Sequence, residues 1–192
     1  LMIRPLLAGA ACLALLAACN ERGASPAVDK AQDMAAAPVG QASAATIGAN
    51  TVEGYVPAAA MGDMYEIQAA TIALRRSTNA GVKELATMIR TDHTAASNLF
   101  KAPAAADAPT VTLPTALDQR RQGLIDNLTS ASEADFDRVF LDQQIAAHNE
   151  ALTLHRGFSD NSAAPGLAAH ARTVVPKIEA HLRQAEQLRA AM

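Results

Sequence analysis

The chain has no tryptophan, two cysteines and only 3% aromatic residues in a length of 192. So few rings argue against a sheet protein, because sheets draw on aromatic and β-branched side chains. Hydrophobic residues nevertheless make up 50% of the sequence, and much of that share is alanine, the strongest helix former. A core of Ala, Leu, Val and Ile predicts an all-α protein of closely packed helices. Both cysteines, Cys12 and Cys19, lie near the N-terminus. The remainder therefore offers no disulfide, no thiolate metal site and no cysteine nucleophile. Basic charge is not in excess either: 16 Lys and Arg face 19 Asp and Glu, a formal net charge of −3. That balance excludes nucleic acid or anionic lipid engaged through a basic face. A Gly-rich phosphate loop, a nucleophile elbow and a His-Glu-x-x-His run are all missing.

The N-terminal segment has a recognisable layout. Arg4 precedes an apolar run from Leu6 to Leu16, and Ala17-Ala18-Cys19 follows. A positive flank, a short apolar centre and small residues at the cut describe a secretory leader. The run falls short of the roughly 20 residues that a membrane span needs. Leu16-Ala17-Ala18-Cys19 resembles the lipobox of bacterial lipoproteins. The resemblance implies a signal peptide over 1–18, lipidation of Cys19 and a membrane tie through that lipid, each buried methylene adding about 0.8 kcal/mol. The domain would face the periplasm within the bacterial cell envelope. Asn20, where inner-membrane lipoproteins commonly carry Asp, points to the outer membrane. Residues 19–50 are rich in Ala, Gly, Ser, Pro and Gln without sustained periodicity, and are expected to form a disordered tether. Residues 51–192 then make one domain.

Helical periodicity dominates that domain. A first helix is predicted over Thr51–Thr78, with Val56, Ala60, Met64, Ile67, Thr71 and Leu74 on its apolar stripe. A second runs to about Lys101 and aligns Val82, Ala86, Ile89, His93, Ala96 and Phe100. Residues 102–114 read as a loop, and Pro114 is expected to open a short helix. Ser132 with Asp135 forms a cap signature before a third main helix carrying Leu141, Ile145, His148, Leu152 and His155. The fourth aligns Leu167, Ala171, Val174, Ile178, His181, Ala185 and Leu188, with a kink expected at Pro176. The predicted architecture is a four-helix bundle with one additional short helix.

The five histidines are the chemical signal. His93, His148 and His181 each occupy the apolar stripe of a different main helix. Glu66 stands beside Ile67 on the first helix, in line with Ala59, Asp63, Ala70 and Ala73. One ligand from each helix is how bundles build internal metal sites. Glu66, His93, His148 and His181 are therefore candidate ligands for a single divalent transition metal such as Zn, Cu, Mn or Fe. Asp92 is the candidate to orient an imidazole from behind. A buried network of these groups with water satisfies the same residues without metal. His155 is placed near the bundle end and His170 off the main stripe, toward solvent.

An ordered set of short runs carries a wider resemblance. Tyr65-Glu66-Ile67, Val82-Lys83-Glu84-Leu85-Ala86, Met88 to Asp92-His93-Thr94, Leu113-Pro114, Asp135-Phe136-Asp137-Arg138, His148 and Val175-Pro176 to His181-Leu182 resemble the ferritin-like "predicted outer membrane protein" family, the domain of unknown function numbered 4142. The resemblance covers about Thr51 to Leu188. It implies a ferritin-like helical bundle, bacterial and often exported, with no established activity. The family pattern favours an acidic residue before each of the two middle histidines; Asp92 matches and Ala147 departs. Glu-x-x-His pairs, which place two ligands one turn apart in di-iron bundles, do not occur here, so a mononuclear site, or no metal, fits better than a two-metal centre. The leading expectation is a non-enzymatic, lipid-anchored envelope domain that binds a metal ion or an envelope protein partner. A metal-dependent oxidoreductase acting on a small oxidant and a purely structural or interaction module are the alternatives.

Overall fold

The computed structural model describes residues 26–192. Cys19 and the expected leader lie outside them. Among the described residues the chain is all-helical. Six α-helices follow in order: α1 (Pro26–Ser43), α2 (Val52–Arg76), α3 (Ala80–Asp107), α4 (Gln119–Ser130), α5 (Phe136–Phe158) and α6 (Pro165–Ala190), with a turn of π-helix at Ala44–Gly48 between α1 and α2. The four long helices close a ring of neighbours, α2 on α3, α3 on α6, α6 on α5 and α5 back on α2. Short connections make α2/α3 and α5/α6 antiparallel pairs. No helix of the described residues is long and apolar enough to cross a membrane.

Local chemistry fixes the ends. Thr51 accepts from the Gly54 amide at 3.1 Å and starts α2, while Asn79 accepts from the Gly81 and Val82 amides and starts α3. Ser132 Oγ accepts from the Asp135 amide at 3.2 Å and donates to the Asp135 carboxylate at 2.8 Å just before α5. These are the capping groups that a bare helix N-terminus requires. The start of α6 borrows its acceptor from elsewhere: Asp107, the last residue of α3, takes the Leu167 amide at 2.8 Å.

Three expectations are corrected. The segment 26–48, expected as tether, is helical and docked. Asp33 of α1 accepts from Asn127 Nδ2 at 2.8 Å and from Gln143 Nε2 at 2.7 Å. A Cβ at Gly40 would overlap the Glu150 carboxylate, so α1 approaches α5 as closely as glycine permits. Composition hid this because alanine serves both a linker and a helix. Second, α3 continues through Pro103 to Asp107 instead of ending near Lys101; Ala104 and Ala108 are buried beside Phe100 and prolong the contact. Third, Pro114 does not open α4. Asp118 does, accepting from the Arg121 amide at 2.7 Å.

The buried face of α2 is also rotated from the predicted stripe. Tyr55, Ala59, Tyr65, Glu66, Ala69, Ala70 and Ala73 face inward, whereas Ala60, Met64, Ile67 and Leu74 are only half-buried. Small residues face the neighbouring helices because they let backbones come close, and the larger ones cover the rim. The stripes predicted for α3 and α6 match the observed buried faces, apart from half-buried Leu188. Helix α6 continues through Pro176.

Arg76 ties α2 to the far end of α4. Its guanidinium donates to the carbonyls of Leu128, Thr129 and Ala131 at 3.1, 2.9 and 2.7 Å and sits 4.5 Å from the centre of the Phe136 ring. A cation at a helix C-terminus meets the negative end of the dipole. Arg76→Ala should lower stability by about 2 kcal/mol, measured by urea unfolding, and Lys should restore little because it lacks the planar fork.

Candidate metal centre

The apolar core is interrupted at mid-height. His93 lies between Ile89 and Ala96 on α3, His148 between Leu141 and Leu152 on α5, and His181 between Ile178 and Ala185 on α6, all of them core positions. The three imidazoles converge from separate helices, with ring centres 5.7, 5.6 and 5.4 Å apart. One nitrogen from each lies within 4.8 Å of the other two. Their residues are 7%, 1% and 1% exposed, so bulk solvent does not reach them.

Each ring is held from behind. His93 Nδ1 pairs with Asp63 Oδ1 at 2.8 Å, His148 Nδ1 with the Gln144 carbonyl at 2.9 Å, and His181 Nε2 with Asp92 Oδ2 at 3.0 Å. The Lys177 ammonium contacts the other oxygen of Asp92. The remaining nitrogens point at one another. His148 Nε2 and His181 Nδ1 are 3.3 Å apart, and His93 Nε2 is buried with no hydrogen-bond partner. Two nitrogens bound at 2.0–2.1 Å to one tetrahedral ion stand about 3.3 Å apart. A carbonyl or carboxylate behind each imidazole fixes the tautomer that presents a lone pair forward. Three neutral nitrogens with no thiolate form a set suited to Zn, Cu, Fe or Ni.

Glu66 is buried beside the rings but stands outside the converging group. Its Oε1 is 3.6 Å from His148 Nδ1, the rear nitrogen, and its Oε2 has no partner. Burial raises its carboxyl to about 7, against the pull of His93. Asp92 orients His181 rather than its sequence neighbour His93. Burial pushes Asp92 up, but Lys177 and His181 outweigh it and hold the carboxyl below its ordinary range. Burial also disfavours protonated His93, yet Asp63, Glu66 and Asp92 together bring its pKa above the usual value. His148 is driven well below by burial and by the neighbouring histidines, and His181 is lowered in the same way.

Sequence reading did not assign Asp63 its role. The signal was present, since Asp63 lies one turn before Glu66 on the inward strip. A second histidine cluster was also missed. His155 is buried, its Nδ1 sharing a 2.8 Å hydrogen bond with Tyr55 Oη, and Tyr55 stacks on Phe158 at 3.8 Å. His170, expected in solvent, is half-buried 5.1 Å from the Phe100 ring.

Residues 36–188 match the profile of the family described as "Domain of unknown function (DUF4142)". The chain belongs to DUF4142. No curated protein and no solved structure matches it. The DUF4142 match begins inside α1 and ends inside α6, so it contains all three converging histidines together with Asp63, Glu66 and Asp92.

The buried histidines give this DUF4142 domain a sign for its acid response. Burial lowers His155 to about 3, so the folded state keeps it neutral where the unfolded chain, near 6.5, takes up a proton. The unfolded state then binds more protons between about pH 6.5 and 3, and stability is lost as pH falls through that window. His148, His170 and His181 act in the same direction, and His93 and Glu66, both raised in the folded state, oppose them. Urea unfolding with chelator present should show a drop from pH 7 to pH 5. In His155→Phe that drop should be smaller by about 2 kcal/mol.

Proposed function

We propose that this DUF4142 chain is a ferritin-like four-helix bundle of the bacterial envelope that holds a single divalent transition metal ion at His93, His148 and His181. The carrying observation is that three buried imidazoles from three helices turn lone pairs toward one point while each rear nitrogen is occupied. Asp63 and Asp92 position the outer two rings, and the Gln144 carbonyl positions His148. Glu66, 3.6 Å from the His148 ring nitrogen, is the acidic group nearest the third imidazole and offsets the charge of a bound cation. The role is storage, sensing or bracing rather than turnover. The leader and the lipid on Cys19 would hold the domain at the outer membrane, facing the periplasm, where an envelope protein is its accessible partner.

A cavity of about 510 Å³ whose wall includes His93, Tyr65 and Glu66 favours one second reading, a metal-dependent oxidoreductase acting on a small oxidant. Peroxide consumption by the metal-loaded chain, lost in His93→Ala, would support it over binding alone.

Metal content and melting temperature test the main proposal. The purified chain, with Cys12 and Cys19 replaced by serine so that no thiol competes, should take up about one equivalent of Zn²⁺ or Co²⁺ per three-histidine site. Its melting temperature should rise with metal and fall with chelator, because an ion bound only to the folded state stabilises it by mass action. His93→Ala, His148→Ala and His181→Ala should each abolish uptake. Asp63→Asn and Asp92→Asn should weaken affinity by about 10–100-fold, as loss of a rear partner does elsewhere. Wild type and His93→Ala melting alike at saturating metal would leave a structural or interaction module whose histidines belong to the core.

A further inference from the structure

Resting on that metal reading, we infer that the cavity beneath α1 is the route by which the cation reaches the three histidines, and that α1 is its cover. The cavity, about 510 Å³, is bounded by α1 on one side and by α2, α4 and α5 on the other. Of the three histidines only His93 lies in its wall. His148 and His181 are not in that wall, so an incoming ion meets the Asp63–His93 pair first; Asp63, also in the wall, holds His93 Nδ1 at 2.8 Å, while His93 Nε2, without a partner, faces the other two rings. Glu66 shares the same wall, 3% exposed, with Oε2 equally without a partner. A partnerless carboxylate oxygen and a partnerless imidazole nitrogen, carried by two residues of one wall, are donors a divalent cation can use in passing.

The remaining charge of the wall suits a cation. Arg120 and Arg121 both face Glu150, Arg121 also faces Asp118, and Arg138 faces Asp135. Those guanidiniums are neutralised locally, and beyond them Asp29, Asp33 and Asp63 outnumber the remaining cation of the wall, Lys30. A cleft with an excess of one sign between low-dielectric walls concentrates counter-ions.

The cover is seated by polar contacts to α4 and α5, among them Asn127 on the Asp29 carbonyl, Arg120 on the Ala36 carbonyl and Gln41 on Thr153. Gly40 lies directly against Glu150 and Arg120, and Asp33 is held by Asn127 and Gln143. Gln143 in turn accepts from Tyr65 Oη at 3.0 Å, so the seat is linked by hydrogen bonds to the residue preceding Glu66. Val28, Met34 and Val39 leave much of the outer side of α1 in solvent. An amphipathic helix anchored by a handful of polar contacts belongs to the low-stability part of a fold, which opens first.

Stopped-flow uptake of Co²⁺ by the same cysteine-free full-length chain, followed by its visible absorption, tests the route, with release measured on adding chelator. A Cβ at Gly62, in the cavity wall on α2, meets nothing within 4 Å, so a side chain can start there and Gly62→Phe adds a ring to the passage. Ala146→Phe fills it independently from α5. Both plugs should slow uptake and release together by about tenfold while the equilibrium constant stays within about twofold, because a blocked path changes rates in both directions. Gly40→Leu, which forces α1 off Glu150, should speed both. Either plug that folds with wild-type circular dichroism and loads at the wild-type rate would overturn the route while leaving the metal site standing. Absence of Co²⁺ binding by wild type at equilibrium would overturn the metal reading, and the route with it.

Discussion

Buried imidazoles need partners, and the centre of this fold is arranged around that need. A buried polar atom left unmatched costs about 1–3 kcal/mol, and here three rings enter the core beside two further buried polar side chains, Glu66 and Gln144. The chain answers with one acceptor behind each ring, drawn from α2 for His93, from α5 for His148 and from α3 for His181. The two carboxylates tie α2 to α3 and α3 to α6 at mid-height, while the Gln144 carbonyl holds its ring within α5. The apolar groups above and below then pack as separate clusters. Tyr65, Phe136 and Phe140 fill one end, and Tyr55, Phe100 and Phe158 fill the other. A protein with 3% aromatic residues has placed most of its rings in those two caps.

The legible parts of the sequence were those where size and polarity agree. On α3 and α6 the large apolar residues recur at helical spacing, so the stripe, its histidine and its buried face coincide. On α2 they separate, because alanine faces inward and Met64, Ile67 and Leu74 stay at the rim. Periodicity weighted by hydrophobicity follows the bulky residues, whereas close approach of two backbones follows the small ones. The same ambiguity concealed α1. Alanine, glycine and glutamine between positions 26 and 43 read equally as linker and as helix, and the deciding interactions, Asp33 with Asn127 and Gln143, come from distant parts of the chain.

Within the site, helical phase identified the three histidines but not what stands behind them. Asp92 was expected to orient an imidazole, and the ring is not that of its neighbour His93, because one residue along a helix turns the side chain by about 100°. Asp92 therefore reaches His181 across the α3–α6 interface. Asp63, a full helix away from His93 in sequence, supplies the acceptor that adjacency seemed to offer. Glu66, named for its phase alone, arrives behind a ring rather than in front of it. Phase gives a direction from one axis; which nitrogen a carboxylate meets depends on how two axes cross.

The Lys177–Asp92–His181 chain has its own consequence. Lys177 is half in solvent, Asp92 lies at the boundary and His181 is buried, so three side chains connect bulk electrolyte with the interior in one line. Any modification that strips the ammonium of its charge leaves Asp92 with no cation beside it and only the hydrogen bond of the imidazole beneath it. A half-exposed lysine thereby acts as a tuning screw on the basicity of a nitrogen it never touches.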